Sequence, residues 1–319
     1  MSTALTVSHS SPVAAIPAAD AERARGFANA EKAAATRRAY GTDFAIFRAW
    51  CTERRLDALP ASPATVAAFL AHEASRSVKA STIGRRTAAI RYAHRFAGLT
   101  TPTDDELVKG TMRGIRRILG TAKIKKAPAT AERLLAMAAN TGTGPKGLRD
   151  RALLLIGFAG ALRRSELVAL NIEDIEEAPD GMKITIRHSK TDQEGAGQAI
   201  AIPFGKISCP VAALKEWMTA AGIGSGALFR SVNRHGKVGE RLTDQSVSDI
   251  VKEHAKRLRL DPKQFAGHSL RAGFLTSAAS RGASIFKMMD VSRHRSVDTL
   301  RGYVRDAELF KDHAGAGLL

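Results

Sequence analysis

Apolar positions in the first third of the chain recur at helical spacing. Over residues 36–53, Tyr40, Phe44, Phe47 and Trp50 fall on one stripe, the pattern of a helix with a buried face. Ser62-Pro63-Ala64-Thr65 opens a second helix, with a hydroxyl before an early proline. A third is expected over residues 81–97, where Ile83, Ile90 and Ala97 share one face and Arg91 and Arg95 another. A short fourth over residues 111–119 sets Met112, Ile115 and Leu119 inward against Arg113, Arg116 and Arg117. Ahead of these, residues 1–25 are rich in Ala, Ser, Thr and Pro and keep no period, which reads as a flexible tail. Behind them, Gly-Thr-Ala-Lys-Ile-Lys-Lys-Ala-Pro-Ala-Thr over 120–130 is small, basic and Pro-containing, as an interdomain linker is.

The rest begins helical, over 130–140 and then 150–170, and then changes period. Residues 183–188 alternate strictly, as do 198–202, and a Gly-containing turn separates them; this predicts a hairpin. Helices resume at about 211–221, 244–258, 269–281 and 284–289. The expected fold is therefore mainly α with a small antiparallel β-sheet. Its parts are a tail (1–25), a helical domain (26–119), a linker (120–130) and a mixed α/β domain (131–319), with no internal repeat.

Charge changes the picture. Forty-nine Lys and Arg oppose thirty-one Asp and Glu, a net +18, and such a field favours a polyanionic partner. Residues 1–126 carry net +11 and residues 127–319 net +7, so most of the excess belongs to the smaller, helical half. Lys79, Arg85, Arg86, Arg91, Arg95, Arg113, Arg116 and Arg117 are the candidate DNA contacts there. The two cysteines, Cys51 and Cys209, lie far apart without paired-His or paired-Cys spacing, which excludes a disulfide scaffold and a zinc finger and fits a reducing compartment. The longest strongly apolar run, 152–162, is about half a bilayer span, and the N-terminus lacks the pattern of a secretion signal. A soluble, cytoplasmic protein without a membrane partner is expected.

Singly, the polar candidates in the second half are unremarkable. Arg163 and Glu166 are three apart and could form an ordinary helix pair; His268 and Arg271 share a spacing common in helical proteins; Lys190 follows a strand, where lysines are ordinarily solvated. His235, His254 and His313 match no motif and read as surface residues. The ordered set carries more: Arg163 in Ala-Leu-Arg-Arg-Ser-Glu-Leu, Lys190 in His-Ser-Lys-Thr, His268 and Arg271 in Gly-His-Ser-Leu-Arg, and His294 nine residues before Tyr303, the one tyrosine of this half. That set resembles the tyrosine recombinase (phage integrase) family, and the preceding helical domain looks like the core-binding domain of its Cre-type and Xer-type members.

The resemblance implies a two-domain, site-specific DNA recombinase that cuts and rejoins DNA through a 3′-phosphotyrosine intermediate. Tyr303 would be the nucleophile, Arg163 and Arg271 the phosphate ligands, His268 the proton acceptor, Lys190 the donor to the departing oxygen, and His294 a hydrogen-bond donor, with Glu166 in support. The residue types suit this chemistry. Guanidinium groups stay charged and grip phosphate bidentately, and a phenol of pKa about 10 needs a base as it attacks. The bond energy is kept in the phosphotyrosine, so no metal, nucleotide or other cofactor is implied. Two recombining sites would join four protomers on DNA, and the last residues (Ala307, Leu309, Phe310 and Leu318-Leu319) supply apolar anchors either for a neighbour or for their own domain. A non-catalytic DNA-binding regulator and a type IB topoisomerase-like enzyme are the alternatives. A metal-dependent transposase would need a carboxylate triad, and a serine recombinase an N-terminal catalytic domain.

Overall fold

The computed structural model describes residues 17–122, 126–187, 189, 192, 197–307 and 315. It is mostly helical with small antiparallel sheets, and it divides into two compact units, Met1–Lys123 and Ile124–Leu319.

The first unit contains α1 (Ala18–Ala30), α2 (Ala34–Glu53), α3 (Pro63–Ser75), α4 (Ala80–Phe96) and α5 (Glu106–Leu119). Helix α1 replaces part of the expected tail: its Ala-rich sequence has strong intrinsic helix propensity. Ser62 caps α3 by accepting from the Thr65 N–H at 3.0 Å, with Pro63 in the first turn. Asp105 caps α5 and starts it five residues earlier than the pattern indicated. The core gathers Phe47, Trp50, Phe69, Leu70, Ile83, Ile90, Met112 and Ile115. Ala97 and Leu119, expected inward, are exposed because each sits where its helix ends.

Charge is also buried here. Asp43 on α2 accepts from Arg85 Nε at 2.6 Å, and Arg86 pairs with Glu73 on α3, both carboxylates being almost fully enclosed. Arg86 therefore departs from the expected surface set: its guanidinium is occupied in joining α4 to α2 and α3.

In the second unit, α6 (Ala131–Ala139), α7 (Pro145–Ala159), α8 (Arg164–Ala169), α9 (Pro210–Ala221), α10 (Asp244–Arg257) and α11 (His268–Ser280) share one large core with the sheet β1 (Ile175–Ala178), β2 (Gly181–Ile186) and β3 (Gln198–Pro203). The β2–β3 hairpin is antiparallel, with Ile184 opposite Ile200 and Met182 opposite Ile202. A second hairpin, β4 (Arg230–Val232) and β5 (Val238–Arg241), turns through Asn233–Gly236. Helices α12 (Ile285–Ser292) and α13 (Val297–Ala307) pack on α11 through Leu275, Met288 and Leu300. At Gly273 a Cβ would collide with the Ala129 carbonyl, so glycine lets the chain entering this unit lie directly on α11. His254, read from sequence as a surface residue, is fully buried on α10. Its Nε2 lies 3.0 Å from Asp150 Oδ2, while Arg149 donates to the other oxygen.

The expected helix over 150–170 is interrupted. α7 ends at Ala159, Ala161 adopts a left-handed φ of 45°, and α8 restarts at Arg164. A helix interior would satisfy the Ala161 carbonyl within the backbone; the break turns it outward to the site instead.

Candidate active site

The 160–163 corner, the start of α11 and the α12–α13 turn bring most of the predicted catalytic residues together. Arg163 caps α8: its N–H donates to Glu166 Oε2 at 2.9 Å and its guanidinium to Oε1 at 2.6 Å. The next arginine, Arg164, points elsewhere, to Asp244 and Ser248. The chain therefore places Arg163 rather than Arg164 in the cluster. Arg271, on the second turn of α11 and 1% exposed, donates from Nη1 to the Ala161 carbonyl at 2.7 Å. Its Nη2 faces the His294 ring at 3.2–3.3 Å.

Glu166 is the acidic anchor. Burial pushes its carboxyl up, but Arg293, Arg163 and their hydrogen bonds outweigh that and hold it below the usual value. Burial, with Arg163 and Arg293 alongside, draws Arg271 down to about 9, against the pull of Glu166 and Tyr303; it is still a cation at neutral pH. Tyr303, on α13, is half-buried where that helix packs against α11. Desolvation, then Arg271 and Arg163, lower His268 from 6.5. His294 falls to about 4, chiefly by burial and the cation Arg271. Both histidines are thus neutral at pH 7.

The tautomer of His294 follows from its partners. Ser292 gives its one hydroxyl proton to the Met288 carbonyl at 2.5 Å, so its oxygen accepts from His294 Nδ1–H at 2.7 Å. Nε2 keeps a lone pair, turned to the Arg271 guanidinium.

Lys190 lies outside the described residues, as do His188, His313, Leu309, Phe310 and Leu318-Leu319. The neighbours of Lys190, Ser189 and Asp192, exchange backbone hydrogen bonds of 3.1 Å. They also line a cavity of about 230 Å³ together with Arg293 and His294.

Two participants were missed from sequence. Arg293 has a side chain only 2% exposed, and its Nη2 donates to Glu166 Oε2 at 2.8 Å. Ser292 sets the His294 tautomer. The Arg-His-Arg run flanking His294 is visible in the sequence, but nothing local marks its first arginine as enclosed.

In the first unit Lys79, Arg85, Arg95, Arg113, Arg116 and Arg117 are exposed and Arg91 is half-buried. Arg91 donates to Thr103 at 2.9 Å and to Asp104 at 2.5 Å, Arg95 approaches Asp104 at 3.6 Å, and Arg113 pairs with Glu106. Among the described residues no helix is long and apolar enough to cross a membrane, and no three His, Cys, Asp or Glu are grouped to hold a metal.

The chain that builds this corner of guanidinium groups, one carboxylate and neutral imidazoles belongs to the phage integrase family. "Phage integrase family" matches residues 127–309, and "Phage integrase, N-terminal SAM-like domain" matches 27–99. The chain is accordingly an enzyme of the tyrosine recombinase/integrase type. It is 40% identical over 290 residues to the integrase/recombinase xerD homolog of Selenomonas ruminantium, covering 89% of this chain and 85% of that one. It is 25% identical over 281 residues to the recombinase cre of Escherichia phage P1, covering 82% and 80%. In fold it resembles the Tn1549 transposon integrase in complex with transposon right end DNA, with TM-score 0.63, 15% identity and coverage of 91% and 96%.

Proposed function

We propose that this protein performs site-specific recombination by cleaving one DNA strand with Tyr303 and rejoining it to another. The carrying observation is the convergence of Arg163, Arg271, His294 and Glu166 on the 160–166 corner, with Tyr303 on α13, which packs against the α11 that bears Arg271. Arg163 and Arg271 bind the non-bridging oxygens of the scissile phosphate and stabilise the charge of the pentacoordinate state. Tyr303 Oη bonds to phosphorus and its proton passes to neutral His268; the P–O5′ bond breaks, and Lys190, between β2 and β3 in sequence, protonates the leaving oxygen. A 5′-hydroxyl from the partner strand reverses these steps, so no external energy source enters. The phosphodiester charge favours the imidazolium form of His294, which then carries an N–H on both nitrogens and donates to a phosphate oxygen.

Duplex DNA is held by the exposed basic face of the first unit (Lys79, Arg85, Arg91, Arg95, Arg113, Arg116 and Arg117), and four protomers assemble on two sites in the cytoplasm. The xerD and cre relatives support the recombinase reading over a DNA-relaxing enzyme; the complete polar set supports it over a binding-only regulator.

A nicked duplex whose cleavage product diffuses away tests the chemistry. Wild type should form a DNA adduct that survives denaturation, in the presence of EDTA, and Tyr303→Phe should form none while binding DNA as wild type does. An adduct formed by Tyr303→Phe would overturn the assignment.

A further inference from the structure

Arg293 closes the α12 helix in a left-handed conformation, φ 57°, which a residue with a Cβ adopts only at a cost. The conformation is held by what its side chain does. Nη1 donates to the Val291 carbonyl at 2.6 Å and to Gly160 at 3.2 Å, and Nη2 donates to Glu166 at 2.8 Å and to Ala161 at 3.3 Å. Its Nε is buried without a partner. A surface arginine at a helix end has no reason to accept enclosure on these terms.

The acceptors it uses are those that hold the phosphate ligands. Glu166 takes Arg163 on one oxygen and Arg293 on the other, and the Ala161 carbonyl takes both Arg271 and Arg293. Three guanidinium groups and one carboxylate leave the corner at +2, matched to a phosphodiester that gains a second negative charge as it becomes pentacoordinate. The residue that follows Arg293 in this unusual turn is His294. With its side chain enclosed, Arg293 is not itself available to DNA.

We propose that Arg293 is a positioning residue for strand cleavage: it pins Glu166 and the 160–161 corner so that Arg163 and Arg271 present their free edges to one phosphate, and its left-handed backbone delivers His294 to Arg271. The proposal rests on the recombinase reading of the site. The charged groups facing Glu166 are Arg163 from its own helix start, Arg293 from the α12–α13 turn and Arg271 from α11. Removing Arg293 therefore raises the pKa of Glu166, and the acid limb of cleavage moves to higher pH.

Arg293→Gln and Arg293→Lys are compared with wild type in single-turnover cleavage of the nicked duplex, with affinity titrated on the same DNA. Arg293→Gln should cleave about 100-fold more slowly, the scale of a displaced catalytic group, while its Kd stays within about threefold of wild type. Arg293→Lys, which keeps the charge beside Glu166 but reaches fewer carbonyls, should recover about tenfold of that loss. In a Glu166→Gln background, Arg293→Gln should add less than about threefold, because the two act as a unit. Cleavage by Arg293→Gln within about threefold of wild type, an unmoved acid limb, or a full additional loss in the Glu166→Gln background would each overturn the proposal. Should Arg293→Gln not fold, Arg293→Lys decides: a roughly tenfold loss at unchanged Kd is expected, and wild-type cleavage overturns it. If wild type itself forms no adduct, the recombinase reading fails first and the proposal falls with it.

Discussion

In the first unit Arg95 and Arg113 stand more than 60% exposed, each opposite a surface carboxylate, whereas in the second unit Arg271 and Arg293 are enclosed and fastened to backbone carbonyls. An exposed ion pair contributes about 0–1 kcal/mol, so Asp104 or Glu106 can give way to a phosphate at little cost, and the arginine trades one anion for another. Arg271 has no such freedom. Its desolvation is already met in the folded protein, and the substrate finds the cation in place. Under the proposed function, the same side chain would serve affinity where it is exposed and catalysis where it is fixed. Arg86 shows that location in a unit does not decide this: it follows the exposed Arg85 on α4, yet with Glu73 and Asp43 it acts as a core residue.

Several substitutions would break or sharpen that contrast. The largest effect is expected at Arg271, where Lys keeps a charge but cannot span the Ala161 carbonyl and a phosphate together. Arg271→Lys should lower single-turnover cleavage by roughly 10²–10³-fold with little change in DNA affinity, and a rate near wild type would show that fixation is not what matters. Next is Glu73→Ala, which leaves Arg86 without its buried partner. Urea unfolding should show a loss of about 3–5 kcal/mol, while a surface-pair deletion such as Glu106→Ala should cost no more than about 0.5 kcal/mol.

Acid pH supplies a third, intermediate effect. His294 titrates at about 4 in the folded protein, mainly because it is buried, against about 6.5 when unfolded. Between those values the unfolded chain binds more protons, so stability is full above pH 6.5 and falls as pH drops toward 4. Thermal unfolding of His294→Gln should lose part of that pH dependence, and an identical curve would place the acid sensitivity elsewhere. His268 is lowered in the same direction, by burial, Arg271 and Arg163, so a second ionisation below pH 6.5, distinct from that of Glu166, should appear in the wild-type cleavage profile and stay in place in Arg293→Gln.

The mildest effects belong to the exposed arginines. Charge reversal at Arg91 and Arg95 should weaken DNA binding and flatten the dependence of log affinity on log salt by about one to two units, with cleavage at saturating DNA unchanged. Constant affinity across that series would remove them from the DNA face.

Much of this was legible in the residues. The Tyr40-to-Trp50 stripe, the Ser62-Pro63 start and the β2–β3 alternation each report a local period, and local periods survive folding because burial rewards one face of each element. The family was legible from the ordered Arg163, His268, Arg271, His294 and Tyr303 motifs, and the match of the phage integrase family to residues 127–309 bears that resemblance out. The interruption at Gly160-Ala161 was not, since residues 150–170 keep helical character throughout and only the packing around Arg271 and Arg293 makes an outward carbonyl worth a broken turn. Arg86 and His254 were misjudged, and Arg293 was not singled out, for one reason: polarity predicts exposure unless a partner waits inside, and each partner (Glu73, Asp150, Glu166) is remote along the chain.

The order of residues by itself determined the helical character, the hairpin, the basic excess of the smaller half and the inventory of groups able to transfer a phosphate. Tertiary structure decided which of two adjacent arginines faces the cluster, which imidazole nitrogen of His294 holds the proton, and that a third guanidinium shares its acceptors with the other two. Pattern and composition act over a few residues, where a sequence can be read directly. Hydrogen bonds such as Arg271 to Ala161 join positions 110 apart, and their partners exist only once the chain has closed on itself.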